Sequence, residues 1–123
     1  MKSRPQATSK LLTETDRAIV TEWRFAPGAE TGWHRHAHDY VVVVLTAGRL
    51  MQETANGEIV TDLAAGQSYA RNVGVEHNVV NPNPHEFVFV EVTLRITSLR
   101  KDAEGEIVKG SAGTIRYLGK PGR

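Results

Sequence analysis

Histidines at alternate positions are the residues of this chain whose types and spacing point most directly to chemistry. His34, His36 and His38 lie within the stretch TGWHRHAHDYVVVVL, and the chain has five histidines in all. Alternate residues of a strand project from one face, so His34 and His36 can bind one metal ion at about 2.0–2.2 Å. His77, at the start of the apolar stretch HNVV, can add a third imidazole from a neighbouring strand. Such a facial set leaves coordination positions open for water, substrate or oxygen.

Two further residues share the alternation of these histidines. His38 lies about 13 Å from His34 along an extended strand, because each residue adds about 3.3 Å. We therefore expect His38 near the cavity mouth rather than on the same ion. Tyr40 continues the alternation, and we predict a catalytic and substrate-binding role for it. Its hydroxyl would act as an acid, hydrogen-bond a substrate or oxygen, or bind the metal weakly; the alternative is a buried tyrosine that only packs.

Short strands are the elements that must position these residues. Stretches rich in β-branched and aromatic residues alternate with turn signals, and they include AIVTEWRFA, YVVVVL, RLMQET, EIVTDL and EFVFVEVTLRI. Asn56-Gly57 is the strongest hairpin signal, and no helical period exceeds about two turns. This pattern predicts one all-β sandwich or barrel. We predict a disordered tail at 1–10, the barrel at 11–98 and a loop-rich tail at 99–123 with at most one docked strand.

Length and composition narrow the class of protein. A chain of 123 residues fits one domain, and the lack of cysteine excludes disulfides, thiolate metal sites and thiol nucleophiles. No apolar run approaches the roughly 18–20 residues that cross a bilayer, and the N-terminus lacks the apolar stretch of a secretory signal. We therefore predict a cytoplasmic protein with no membrane partner. Residues 11–99 carry six arginines against eleven acidic residues. Because this net negative charge disfavours contact with phosphate backbones, no nucleic-acid partner is predicted.

The histidines belong to two spaced motifs. The first has the spacing G-x5-H-x-H with a glycine after the following strand, and is formed by Gly28, His34, His36 and Gly48. The second has the spacing G-x5-N-x-G-x2-H-x3-N and is formed by Gly66, Asn72, Gly74, His77 and Asn81. In this order the two motifs resemble those of the cupin family over about residues 18–96, with Asn72 where that family usually has proline. The chain also resembles small bacterial cupins, some of which carry a label linking them to β-alanine degradation, although kinship of fold does not fix a substrate.

The resemblance implies a jelly-roll barrel, or double-stranded β-helix, and a divalent transition metal (Fe, Mn, Ni or Zn) held by His34, His36 and His77. Cupins usually add a glutamate three or four residues after the second histidine, but those positions are Tyr40 and Val41 here. Three neutral imidazoles would leave the site about one charge more positive than a site that also has the glutamate. The extra positive charge would acidify bound water and attract an anionic substrate. Arg71, just before the second motif, is our candidate for orienting a substrate carboxylate.

These features predict a metal-dependent enzyme acting on a small organic molecule, either an Fe(II) dioxygenase or a lyase or isomerase. The alternatives are a non-catalytic binding or sensor protein, and a structural barrel with vestigial histidines. The stretch EFVFVEV is apolar on nearly every position. Together with the exposed edges of a small sandwich it predicts a homodimer, in which the partner covers the edge strands. A docked tail within one chain is the alternative cover.

Overall fold

In the part of the chain that the structure describes, two larger antiparallel β-sheets face each other and a separate pair of short strands follows them. The computed structural model describes residues 3–95, 100–101 and 107–108. The strands are β1 Thr8–Glu14, β2 Ala18–Phe25, β3 His34–Arg35, β4 Tyr40–Val44, β5 Gly48–Thr54, β6 Gly57–Leu63, β7 Ser68–Arg71, β8 Glu76–Val80, β9 Phe87–Leu94, β10 Arg100–Lys101 and β11 Ile107–Val108. One sheet has the order β1-β2-β9-β4-β7 and the other the order β3-β8-β5-β6, while β10 pairs with β11. The predicted all-β jelly-roll class is confirmed.

The core lies between the two sheets. Burial alternates along β4, where Tyr40, Val42 and Val44 are buried and the valines between them are only half-buried. Phe25, at the end of β2, is fully buried against Phe89 at a ring-centroid distance of 5.5 Å. The alternation places one face of each strand in the interior, and the same inward face carries the site. No described residue belongs to a helix long and apolar enough to cross a membrane.

Strand β9 occupies the middle of the five-stranded sheet. It pairs with β2 on one side and β4 on the other, with Glu91 opposite both Thr21 and Val42. Its apolar character therefore reflects a central position within one chain, and the strand is not itself an exposed edge. Phe87 and Phe89 fill the core, and the same parity directs Glu91 inward.

The prediction of a disordered tail at residues 1–10 is wrong for residues 3–10. Thr8 begins β1, which pairs with β2 in antiparallel register, and Ala7 is buried. The Arg4 guanidinium lies 3.0 Å from Glu30 and 2.9 Å from Glu53. Polar residues can form this segment because its strand is held by hydrogen bonds between backbone groups. The pattern of side chains in the sequence does not reveal such bonds. The predicted tail at 99–123 lies outside the described residues except for the short β10–β11 pair.

Candidate metal centre

The pairing of β3 with β8 brings the two histidine motifs together. His34 lies directly opposite His77 in this pair. His36 follows β3, and its backbone N–H donates to the Val75 carbonyl at 2.9 Å, while its carbonyl accepts from the Gly74 N–H at 2.9 Å. Gly74 has a φ of 101°, a conformation that favours glycine. The glycine turn of the second motif therefore fixes the backbone of His36, which belongs to the first motif.

The three imidazoles converge through their Nε2 atoms. His36 Nε2 lies 3.0 Å from His34 Nε2 and 3.2 Å from His77 Nε2. A potential ligand atom from each of the three residues lies within 4.8 Å of the others. His38 lies in a bend between β3 and β4 and is not part of this group. The structure therefore brings together the three histidines that the spacing selected and leaves out the fourth.

Acceptor groups hold the outer nitrogens of two of the rings. His34 Nδ1 lies 2.9 Å from the Gly32 carbonyl oxygen, and His77 Nδ1 lies 2.9 Å from Gln52 Oε1. Both partners accept, so each Nδ1 carries the proton and donates it. The Nε2 lone pairs are then free to face the centre of the group, which is the arrangement of metal-binding histidines.

Burial favours the neutral form of two of the imidazoles, those of His36 and His77. It lowers the pKa of His36 to about 4, and the neighbouring His34 and His77 lower that pKa further. Burial likewise lowers the pKa of His77 to about 4, with His34 and Arg71 adding to the effect. Neutral imidazoles are the form that binds metal. Three convergent nitrogen donors fit a divalent transition metal such as Fe, Mn, Ni or Zn.

Tyr40 packs directly against the histidine group. Its ring stacks on that of His36 at a centroid distance of 3.8 Å and an interplanar angle of 16°. Burial raises the pKa of the Tyr40 phenol above its usual range, and Tyr69 and Glu91 raise it further. The hydroxyl therefore stays protonated at neutral pH and is suited to donate a hydrogen bond or a proton rather than to bind metal as a phenolate.

A carboxylate from the opposite sheet also lines this cavity. Glu91 Oε2 lies 4.0 Å from His36 Nδ1, and 17% of the Glu91 side chain is exposed. Burial raises the pKa of the Glu91 carboxyl, an effect that Thr93 and His34 oppose. The sequence analysis did not identify Glu91. It could have been found as the one charged residue in the apolar stretch FVFVEV, where it alternates with Phe87 and Phe89 and so faces the same side of the strand.

The cavity beside the histidines is small and mostly apolar. Its volume is about 20 Å³, enough for roughly one water molecule. Trp23 lines it, and Trp23 Nε1 is buried without a hydrogen-bond partner in the described part of the chain. A buried unpaired donor is costly, so this N–H offers a hydrogen bond to an oxygen of a bound molecule.

A second cavity of about 170 Å³ adjoins the first and shares Leu50 and Tyr69 with it. Arg71 lines this second cavity and lies opposite Tyr40 in the β4–β7 pair. The Arg71 guanidinium lies 4.5 Å from the centroid of the Tyr69 ring. The structure therefore places Arg71 beyond Tyr69 and not among the residues that line the histidine cavity.

A match to the family model "Cupin domain" covers residues 21–93, and the chain belongs to the cupin family. It is 57% identical over 95 residues to the Beta-alanine degradation protein BauB of Pseudomonas aeruginosa, an alignment that covers 77% of this chain and all of that protein. A cupin domain from Bordetella pertussis Tohama I shares 52% identity and a TM-score of 0.75, over 77% of this chain and 99% of that one. A protein with a double-stranded β-helix domain from Klebsiella pneumoniae shares 30% identity and a TM-score of 0.62, over 76% and 81%.

Proposed function

We propose that the protein is a metal-dependent enzyme acting on a small organic molecule in the barrel. Its metal site would consist of His34, His36 and His77, without the glutamate usual at the position of Tyr40 or Val41. The observation that carries this proposal is the convergence of three Nε2 atoms. That of His36 lies 3.0 Å from that of His34 and 3.2 Å from that of His77. The outer nitrogens that hydrogen-bond to acceptors support the same proposal.

A divalent metal, when bound, supplies a Lewis acid with open positions that suit either Fe(II)-dependent dioxygenation or lyase or isomerase chemistry. Residues of the chain itself would hold and orient the substrate. The protonated Tyr40 hydroxyl would donate a hydrogen bond or a proton to a substrate oxygen, and the unpaired Trp23 N–H would donate a second. The apolar walls would exclude water from the reacting atoms.

Arg71 supports a carboxylate-bearing substrate. Its guanidinium lines the second cavity, where it can bind a carboxylate through two hydrogen bonds. The name of the 57%-identical Pseudomonas relative refers to β-alanine degradation. A small carboxylic acid related to that degradation would bind Arg71 in the second cavity and approach the metal past Leu50 and Tyr69, which line both cavities.

The test is turnover with defined metal content. Metal-free protein would be loaded in turn with Fe²⁺, Mn²⁺, Ni²⁺ and Zn²⁺. Each form would be assayed for oxygen consumption and for conversion of small carboxylic acids, thiols and diketones. We expect turnover with at least one metal, abolished in His77→Ala and retained in the matched control His38→Ala. Stoichiometric metal binding with no turnover of any compound would contradict the enzyme proposal.

The alternative function is non-catalytic binding or sensing of a small molecule. The volume at the histidines, about 20 Å³, holds roughly one water molecule, which favours this alternative because a larger molecule would bind in the adjoining cavity, away from the metal. Tight ligand binding with no conversion of the ligand by any metal form would establish it.

A cytoplasmic homodimer is the assembly that we propose. Two of the four outermost strands, β1 and β6, expose apolar side chains, with Leu11 56% exposed on β1 and Ile59 54% exposed on β6. A second copy would cover these edges. Light scattering after size exclusion at low micromolar concentration should give twice the mass of the chain, and a monomer mass would contradict the proposal.

A further inference from the structure

The three histidines differ in what holds their outer nitrogens. His34 Nδ1 has a carbonyl acceptor and His77 Nδ1 has the Gln52 amide oxygen, each at 2.9 Å. Glu91 Oε2 lies 4.0 Å from His36 Nδ1. That separation is too long for a hydrogen bond, so the third ring has the partner within reach but not yet engaged.

The surroundings of Glu91 aim its carboxylate at this ring. Oε2, the oxygen nearer to His36, accepts a hydrogen bond from the Thr93 hydroxyl at 3.2 Å. Glu91 is the one carboxylate among the described residues that line the histidine cavity. The Tyr40 ring stacks on His36, which limits the motion of the imidazole out of its plane. A change in the side-chain torsions of Glu91 would close the remaining gap.

We propose that Glu91 is the positioning residue for His36, accepting a hydrogen bond from His36 Nδ1–H when metal is bound. The proposal rests on the three-histidine site proposed above. Metal binding through Nε2 makes Nδ1–H a stronger donor, and metal-binding histidines almost always donate that proton to a carboxylate, carbonyl or water. Glu91 on β9 would thus supply the carboxylate that the first motif lacks. This carboxylate would bind the Nδ1–H of His36 and would not bind the metal.

The position of Glu91 favours this role over direct metal binding. Nδ1 and Nε2 point in nearly opposite directions from an imidazole ring, and Glu91 approaches His36 on the Nδ1 side. The converging Nε2 atoms of the three histidines lie on the other side. Glu91 therefore acts on the metal through His36.

Metal affinity of two Glu91 variants tests the proposal. Zn²⁺ and Co²⁺ affinities of metal-free protein would be measured by competition with a chromophoric chelator. Glu91→Leu, which removes the acceptor, should weaken binding by about 10- to 100-fold. Glu91→Gln keeps an acceptor oxygen, as Gln52 provides for His77, and should stay within about fivefold of the unsubstituted protein. The visible spectrum of the bound Co²⁺ should be unchanged in the glutamine variant, because the ligands remain the same.

A matched control is Glu22→Leu, since Glu22 lies on β2 of the same sheet, 20% exposed and paired with Arg24. It should leave metal affinity unchanged. Thermal melts of the metal-free variants would verify folding, and Glu91→Ala, which also removes the acceptor, replaces Glu91→Leu in the test if the leucine variant does not fold. A Glu91→Leu affinity equal to that of the unsubstituted protein would overturn the proposal. Equal losses in both Glu91 variants, or a changed Co²⁺ spectrum in Glu91→Gln, would overturn it in favour of a ligand role. Failure of the unsubstituted protein to bind metal would instead refute the proposed site.

Discussion

Gln52 Oε1 lies 2.9 Å from His77 Nδ1, and this contact joins β5 to β8 beneath the histidine group. The amide oxygen selects the His77 tautomer whose Nε2 faces the other two histidines. Gln52 lies in β5 of the same sheet, where β8 is the neighbouring strand. The hydrogen bond therefore links the orientation of one proposed ligand to the pairing of the sheet.

Gln52→Leu should weaken metal binding. The substitution removes the acceptor of His77 Nδ1–H, and loss of such a partner typically costs about 10- to 100-fold in metal affinity. Gln52→Glu keeps an acceptor oxygen and should preserve the affinity. Isothermal titration of metal-free protein with Zn²⁺ would measure both. Unchanged affinity in the leucine variant would show that the Gln52 contact does not position His77.

Tyr40→Phe should separate chemistry from metal binding. The phenylalanine ring keeps the stack on His36, so metal affinity should change by less than about threefold. Loss of the hydroxyl removes a proton donor, and a positioned general acid typically accelerates a reaction by about 10²–10⁴-fold. The kcat with an identified substrate should therefore fall by about that factor. Steady-state kinetics at saturating metal would measure it. A Tyr40→Phe enzyme with unchanged kcat would assign Tyr40 to packing alone.

Acid should destabilise the metal-free protein. The pKa of His36 and that of His77 are lowered to about 4 in the folded chain, against about 6.5 in an unfolded chain. Between these values the unfolded state binds more protons, so the free energy of unfolding falls as pH drops from about 6.5 to 4 and is unaffected by these groups above that range.

Chemical denaturation at several pH values would measure this loss, which we expect to be on the order of 2 kcal/mol per histidine. The double variant His36→Gln, His77→Gln should show a shallower dependence on pH over the same range. An equally steep dependence in that variant would assign the acid sensitivity to other groups.

Gly48→Ala should destabilise the fold. A Cβ at Gly48 would lie 3.0 Å from Asn83 Nδ2 and Oδ1. Asn83 is fixed there because it accepts from the Arg49 N–H and donates to the Arg49 carbonyl. Overpacking of this kind costs about 1–3 kcal/mol.

The matched control is Gly57→Ala, in the β5–β6 hairpin, where an added Cβ meets nothing within 4 Å. Gly57 has a φ of 113°, so its cost arises from the backbone alone. Denaturant midpoints of the two variants would compare them. A smaller loss at Gly48 than at Gly57 would contradict the role assigned to the Asn83 contact.

The three convergent histidines were predictable from sequence because strand parity and motif spacing are local properties. His34 and His36 lie two residues apart, and the second motif encodes the turn that carries His77. Glu91 and Gln52 reach the site from β9 and β5 through sheet pairing, which no local pattern in a single sequence specifies. The order of residues 3–10 was missed for the same reason, because β1 is held by backbone pairing with β2. Parity alone identified the inward face but not the distance from the metal centre, which is why Arg71 proved to line the adjoining cavity.

The central claim is that His34, His36 and His77 together bind one divalent metal ion. Anomalous diffraction at the zinc edge from a crystal of Zn²⁺-loaded protein tests it most directly. We expect one anomalous peak per chain within about 2.0–2.1 Å of all three Nε2 atoms. A crystal whose zinc peaks all lie elsewhere, or a peak bonded to fewer than two of these nitrogens, would contradict it.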